Sequence, residues 1–153
     1  MLFKFTFLAL ICGHIAAFSR DSRHTQSSAR YPSTALKMSA QGFTLDPSVT
    51  SFVFIEYQNE FCKEGGKLHD AVKECMAENK LLENSSKVLK AARDSGCTVI
   101  HCPISFEPGH HEISNTPYGI LQGVKEGAAF TSCEWGSDFC PEMRPAPGDL
   151  IVK

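Results

Sequence analysis

Residues 51–57 read SFVFIEY and residues 97–104 read CTVIHCPI. Each is a short, nearly continuous apolar run rich in β-branched and aromatic residues, the pattern of a strand buried on both faces. Pro47 and the polar pair Gln58–Asn59 bound the first run. Beyond it Gly65–Gly66 breaks the chain, and from Leu68 the apolar spacing becomes helical. Leu68, Val72, Cys75 and Met76 share one face, with polar Asn79 a turn further on. A second helical run covers residues 81–95, where Leu81, Leu82, Val88, Leu89 and Ala92 are apolar. Gly96 stands where a helix-terminating glycine belongs. Strand, helices and strand at this spacing predict a βαβ unit, with Phe52–Tyr57 and Thr98–Pro103 adjacent and parallel. Residues 149–153 (DLIVK) predict the start of a third strand. The fold class is α/β, a three-layer sandwich of helices around a parallel sheet, expected to be incomplete on its C-terminal side.

The chain has 153 residues, 42% of them hydrophobic and 21% charged, with a formal charge of −2. That length suits one domain. The composition excludes a wholly disordered chain, a collagen and a coiled coil. It also argues against nucleic acid as the main partner, because no excess of basic residues exists to neutralise phosphates. The small net charge hides an asymmetry. Residues 1–40 carry five Lys/Arg and one acid, while residues 41–153 carry ten Lys/Arg and sixteen acids.

The basic part reads as an address. Residues 1–17 have Lys4, an apolar run over Phe5–Ile11 and small residues at Gly13, Ala16 and Ala17, as a secretory signal does. The apolar run is too short to span a bilayer, so no membrane span is expected after processing. Residues 18–40 begin with Phe18 and are rich in Ser and Arg, with Asp21 the only acid, the composition of a transit peptide. A signal, an aromatic residue after Ala-Ala and then a transit peptide resemble the two-part plastid addresses of algae with complex plastids. Import into such a plastid is the expectation, with plain secretion and a disordered linker as the alternative. Residues 41–153 are then the folded domain.

In open α/β sheets chemistry gathers at the carboxyl ends of the strands. The first strand ends in Glu56-Tyr57-Gln58-Asn59-Glu60-Phe61, the second in Ile104-Ser105-Phe106. Glu56 is a carboxylate at the end of an apolar run. It reads equally as a partly solvated residue at the strand mouth and as a general acid/base with a raised pKa. Cys12 lies within the signal; Cys62, Cys75, Cys97, Cys102, Cys133 and Cys140 lie in the body. Cys75 sits in a helical pattern, and Cys97 and Cys102 flank an apolar run, so they read as packing residues rather than a disulfide framework. No C-x-x-C occurs, which argues against a zinc ribbon or a thioredoxin-type site.

The run FIEYQNEF followed by EGGKL resembles the first motif of the isochorismatase-like cysteine hydrolases. That superfamily includes nicotinamidases, carbamoylsarcosine amidases and isochorismatases. VIHCPISF, EIS-x-x-PYGIL, AF-x-x-x-x-WG and PAPGDLIV follow in order, so the resemblance covers about residues 49–153. It implies a triad of acid, lysine and cysteine, in which a thiolate attacks an amide or similar carbonyl, a thioester forms and water cleaves it. Glu56 matches the acid, where the family usually carries Asp. Lys153 falls in the neighbourhood of the lysine, which is either this residue or one just beyond it. The nucleophilic cysteine is expected in sequence after Lys153, so this chain is expected to be inactive alone. A non-catalytic homologue acting through a partner surface is the alternative.

Cys62 is the cysteine nearest Glu56 in sequence, but Glu60 and Glu64 beside it are the wrong neighbours for a reactive thiolate. Cys133 and Cys140, near Trp135, read as packing or incidental thiols. His110-His111-Glu112 lies where nicotinamidases bind a metal, but the Asp-x-His pattern of those enzymes is missing. The loop is therefore expected to be solvated, and no metal or cofactor is expected. His101, between apolar residues, reads as a hydrogen-bonded core histidine. Phe61, Phe106, Tyr118 and Trp135 are the candidates for the substrate pocket. The expected partner is a small-molecule substrate, and a homo-oligomer is compatible with the sequence.

Overall fold

The computed structural model describes residues 15–19, 36–38 and 43–153. Most of the expected signal and transit segments lie outside those residues. Four strands form one sheet: β1 (Ile15–Ser19), β4 (Thr50–Ile55), β5 (Thr98–Cys102) and β6 (Leu150–Ile151), in that spatial order. Strands β2 (Leu36–Met38) and β3 (Phe43–Leu45) pair separately as an antiparallel ribbon. Strand β1 lies antiparallel on β4 and straddles the expected cleavage point, with Phe18 opposite Ser51. The helices are α1 (Asn59–Cys62), α2 (His69–Glu78), α3 (Leu81–Asp94) and α4 (Ile120–Glu126).

The βαβ unit is present as expected. Strands β4 and β5 are adjacent and parallel, with Phe52 opposite Val99 and Phe54 opposite His101. Strand β6 continues the parallel order, with His101 opposite Ile151. Asp46 sets the start of β4. Its carboxylate accepts from the Ser48 N–H at 3.0 Å and so caps the single turn Pro47–Val49, while the Thr50 hydroxyl donates back to the Asp46 carbonyl at 2.6 Å. Helix α3 buries Ser85, Leu89 and Ala92, one stripe at helical spacing. It stops at Gly96, whose φ of +77° is the left-handed turn that glycine adopts without a Cβ penalty.

One face of the sheet carries the core. Phe54 stacks on His101 at 5.7 Å between ring centroids and meets Tyr57 edge-on at 6.0 Å. The Tyr57 hydroxyl and the Ser85 hydroxyl share a 2.7 Å hydrogen bond, which ties the end of β4 to α3. Val72, Met76, Leu89, Ala92, Val99, Ile113, Val124 and Phe130 complete the cluster. Burial of this cluster supplies the main driving force for the fold. Alternation along the strands sends Val53, Ile55 and Ile100 to the opposite face. Those three are only half-buried and lie outside the cluster. Helix α3 packs on the Phe54 side through Leu89 and Ala92. Among the described residues no helix is long and apolar enough to cross a membrane.

Candidate active site at the strand mouth

Glu56 follows the last residue of β4 and adopts a left-handed backbone, φ +63°. Such a conformation is uncommon for a residue with a side chain and costs roughly 1 kcal/mol. It persists because the surroundings fix it. The Glu56 N–H donates to the Cys102 carbonyl at the end of β5, 3.0 Å away, and the Gln58 N–H donates to the Glu56 carbonyl at 2.8 Å. The chain therefore turns sharply across the mouth of the two parallel strands. Glu56 is half-buried at the turn, at the end of the sheet where α/β chemistry gathers.

The turn delivers three polar side chains into the interior, and sequence reasoning assigned none of them a role. Gln58 is fully buried. Its side-chain amide donates to the carbonyls of Ile104 and Ser137, at 2.7 and 2.6 Å, and its oxygen accepts from the Ile104 N–H at 2.7 Å. Asn59 donates from its side chain to the Trp135 carbonyl at 2.8 Å, and its buried Oδ1 lacks a partner. Glu60 is a buried carboxylate that accepts from the backbone N–H groups of Lys67 and Phe130, at 2.8 and 3.1 Å. A Cβ placed on Gly136 would fall 2.6 Å from the Glu60 carboxylate, so a side chain there would have to displace it. Together Gln58, Asn59 and Glu60 hold residues 130–139 beneath the strand mouth. The available signal was three consecutive polar residues directly after a buried strand.

Lys153 lies beyond β6, exposed, two residues past Ile151. The Val152 N–H donates to the His101 carbonyl at 2.9 Å, just as the Glu56 N–H meets Cys102 one strand over. Glu56 and Lys153 thus both follow the carboxyl ends of strands that flank β5 in the sheet. The four aromatic candidates do not share one cavity. Phe61 is buried and packs against Phe130 at 5.1 Å, and Phe106 packs on His110 at 5.1 Å. Tyr118 is 92% exposed before α4. Trp135 lines a shallow groove with Asn59, Lys63, Glu64, Asp138, Pro141 and Arg144.

Cys62 is buried at the end of α1, and Cys140 is buried too. The neighbouring Cys140 thiol and burial push the Cys62 thiol up, away from a reactive thiolate. The histidine loop is largely solvated, with His111 and Glu112 exposed, but His110 departs from that expectation: it is buried and bonds the Ala129 carbonyl at 2.7 Å. Among the described residues no group of three His, Cys, Asp or Glu side chains is placed to hold a metal ion.

His101 is buried as expected, but only one ring nitrogen is bonded. Its Nε2 meets Asp149 Oδ2 at 3.1 Å, and its Nδ1 has no partner. Asp149 also pairs with Arg93 of α3 at 2.5 Å and accepts from the Ala146 N–H at 2.9 Å. Burial alone would raise the Asp149 carboxyl, but the bonds from Arg93, Ala146 and His101 hold it below the usual carboxylate value. Burial pushes the His101 imidazole below its usual value, and the Asp149 bond offsets only part of this. The cluster fastens the Pro145–Asp149 turn, and with it β6, onto the sheet.

These features define an α/β protein with an acidic residue at the carboxyl end of its parallel strands. The family model for the isochorismatase domain matches residues 50–153, and the chain belongs to that hydrolase family. Similar proteins include three ureidoacrylate amidohydrolases of the RutB type. The one from Rhizobium rhizogenes is 27% identical over 135 residues, 80% of this chain and 54% of its own length. The Agrobacterium fabrum protein is 26% identical over 120 residues, 71% of this chain and 53% of its own. The Pantoea ananatis protein is 26% identical over 129 residues, 77% of this chain and 51% of its own. The chain spans about half the length of the curated relatives it matches.

Proposed function

We propose that the protein is a cysteine hydrolase that cleaves a C–N bond in a small amide or ureido compound, with Glu56 as the group that moves the proton. The observation that carries this reading is the position of Glu56. Its left-handed turn sets a half-buried carboxylate at the mouth of two parallel strands, in a chain that belongs to the isochorismatase family from residue 50 on. A substrate with a ureido or amide group is favoured by the names of the similar proteins.

In this reading a thiolate attacks the carbonyl carbon, and Glu56 gives a proton to the departing nitrogen. Glu56 then takes a proton from the water that cleaves the thioester. A lysine at or next to Lys153 balances the charge of the acid and helps to keep the thiol ionised. The thiol is not Cys62, which is buried with its ionisation suppressed. We place it in the part of the relatives' length that residues 1–153 do not span.

The test uses two proteins, the 153-residue chain and any longer in-frame product of the same gene, assayed for ammonia release from small amides and ureido acids. The longer protein should be active and the 153-residue chain inactive. Glu56→Gln in the longer protein should lower turnover by roughly 100- to 10,000-fold, the usual contribution of a general acid/base, and Glu56→Asp should keep activity. A fully active Glu56→Gln protein would overturn the assignment. Loss of activity in every form would favour a non-catalytic chain acting through a surface.

A further inference from the structure

We propose that Asp149 is a positioning residue of the candidate site: its carboxylate, held between Arg93 and His101, sets the place of the strand end that carries Lys153. What the lysine does rests on the hydrolase reading above; how it is held follows from the fold.

Strand β6 needs a fastening that its own residues do not supply. It is two residues long, Leu150–Ile151. Leu150, Ile151 and Val152 are each about half exposed, so burial of apolar surface contributes little to docking it. Its pairing with β5 is limited to Ile100 opposite Leu150 and His101 opposite Ile151, followed by the Val152 N–H on the His101 carbonyl at 2.9 Å.

The fastening lies one residue before the strand. Asp149 Oδ2 accepts from Arg93 Nη2 at 2.5 Å, from the Ala146 N–H at 2.9 Å and from His101 Nε2 at 3.1 Å. Arg93 also donates to the Arg144 carbonyl at 2.9 Å, and the Asp149 N–H to the Ala146 carbonyl at 3.0 Å. One carboxylate oxygen thereby joins the last turn of α3, the turn before β6 and β5 itself. The Asp149 side chain is 6% exposed, so water competes with these bonds far less than at a surface ion pair.

His101 carries the connection towards the acid. Its Nδ1 has no partner, so the bond to Asp149 is the one hydrogen bond of the ring. That ring stacks on Phe54, two residues before Glu56, and the carbonyl of the same residue receives Val152, one residue before Lys153. The strand that leads to Glu56 and the strand that leads to Lys153 are thus both referred to one buried residue. Without the Asp149 carboxylate β6 keeps only its edge bonds. Lys153 then samples many positions, and a charge that must act on a thiol loses its placement.

The test has two arms. In the 153-residue chain, amide hydrogen exchange is followed at Val152 and at Glu56, whose N–H meets the Cys102 carbonyl between the neighbouring strands. Asp149→Ala should speed exchange at Val152 by roughly 10- to 100-fold and leave Glu56 within about 3-fold. Asp149→Asn keeps the size and one acceptor but not the charge opposite Arg93. It should lie between, and it decides the matter if the alanine variant does not fold. In the longer in-frame product, Asp149→Ala should lower kcat by roughly 10- to 100-fold with KM nearly unchanged. It should add nothing to the loss caused by alanine at the essential lysine, whether Lys153 or its neighbour. Equal acceleration at Val152 and Glu56 would reduce Asp149 to general stability, and unchanged exchange at Val152 would remove the clamp; either overturns the proposal. Full turnover with Asp149→Ala, or losses that add to those of the lysine variant, would overturn it too. A longer parent protein without activity would instead defeat the hydrolase reading, while faster exchange confined to Val152 would still establish Asp149 as what holds that strand end.

Discussion

Gln58 and Ile104 are joined in both directions, the Gln58 amide donating to the Ile104 carbonyl and accepting from the Ile104 N–H, each at 2.7 Å. A single side chain thus continues the backbone pairing of β4 and β5 past the point where the strands end. Its second N–H reaches the Ser137 carbonyl, so one buried amide holds three chain segments at the candidate site.

Gln58→Ala leaves the Ile104 N–H and two carbonyls without their partner in the interior. Each such loss costs about 1–3 kcal/mol, so a drop of about 3 kcal/mol or more in urea unfolding is expected. Gln58→Glu should be more revealing. As an anion it loses both donors and faces two carbonyls; when protonated it regains one. Its deficit relative to the parent should therefore shrink as pH falls from 7 to 5. A deficit independent of pH would place the side chain in water.

The His101–Asp149 pair predicts how stability depends on pH. The His101 imidazole is held below its usual value in the fold, so the unfolded chain takes up that proton more readily. Stability from His101 is present above an ordinary histidine pKa of about 6.5 and is lost as pH falls below it. Asp149 has the opposite charge but the same direction, because its folded value is depressed. Its contribution is present above about 3.9 and is lost as pH falls through the lower folded value. Denaturation midpoints should thus decline in two stages, below pH 6.5 and again in strong acid. His101→Phe keeps the stacking position against Phe54, removes the first stage and weakens the second, because Asp149 loses one of its bonds. An unchanged slope between pH 7 and 5 in that variant would assign the first stage to another histidine.

The leader makes a separate prediction. Residues 1–40 fused to a fluorescent reporter should carry it through the secretory route into a complex plastid, and Phe18→Ala should stop it short. The motivation is the short apolar run, Phe18 after Ala16-Ala17, and a Ser- and Arg-rich stretch with Asp21 its only acid. Microscopy decides the matter: fluorescence in the medium would support plain secretion.

The parts of this molecule legible in the sequence are those governed by local rules. Val72 and Met76 announce one face of α2, Gly96 the end of α3, and the two apolar runs a parallel pair, because periodicity and caps act within a few residues. Helix α1 was not legible, since four residues make one turn and show no period. The burial of Glu60 was not legible either, because the N–H that receives it, on Phe130, lies 70 residues away. His110 looked like part of a polar loop. Its carbonyl partner on Ala129 and its contact with Phe106 arise only when that loop folds back. At the site, Glu56 was legible as an acid at a strand mouth and through the family motif around it, but its left-handed backbone was not.

That backbone yields the last prediction. Glu56 holds φ +63°, a region in which a Cβ is strained and glycine is not. Glu56→Ala and Glu56→Gly both remove the carboxylate with every contact it makes, so their difference isolates the backbone. At an ordinary extended position alanine would be the more stable of the two, because glycine gives up more conformational entropy on folding. Here the order should reverse, with the glycine variant more stable than the alanine variant by about 1 kcal/mol in urea unfolding. A β-branched residue, as in Glu56→Val, should fall below both. Glycine at 56 would also be expected to abolish turnover in any active form of the protein, so the most comfortable backbone would be the one without function. An alanine variant as stable as the glycine variant would mean that Glu56 is not held in the left-handed region in solution. The turn that delivers Gln58 to Ile104 would then need another cause.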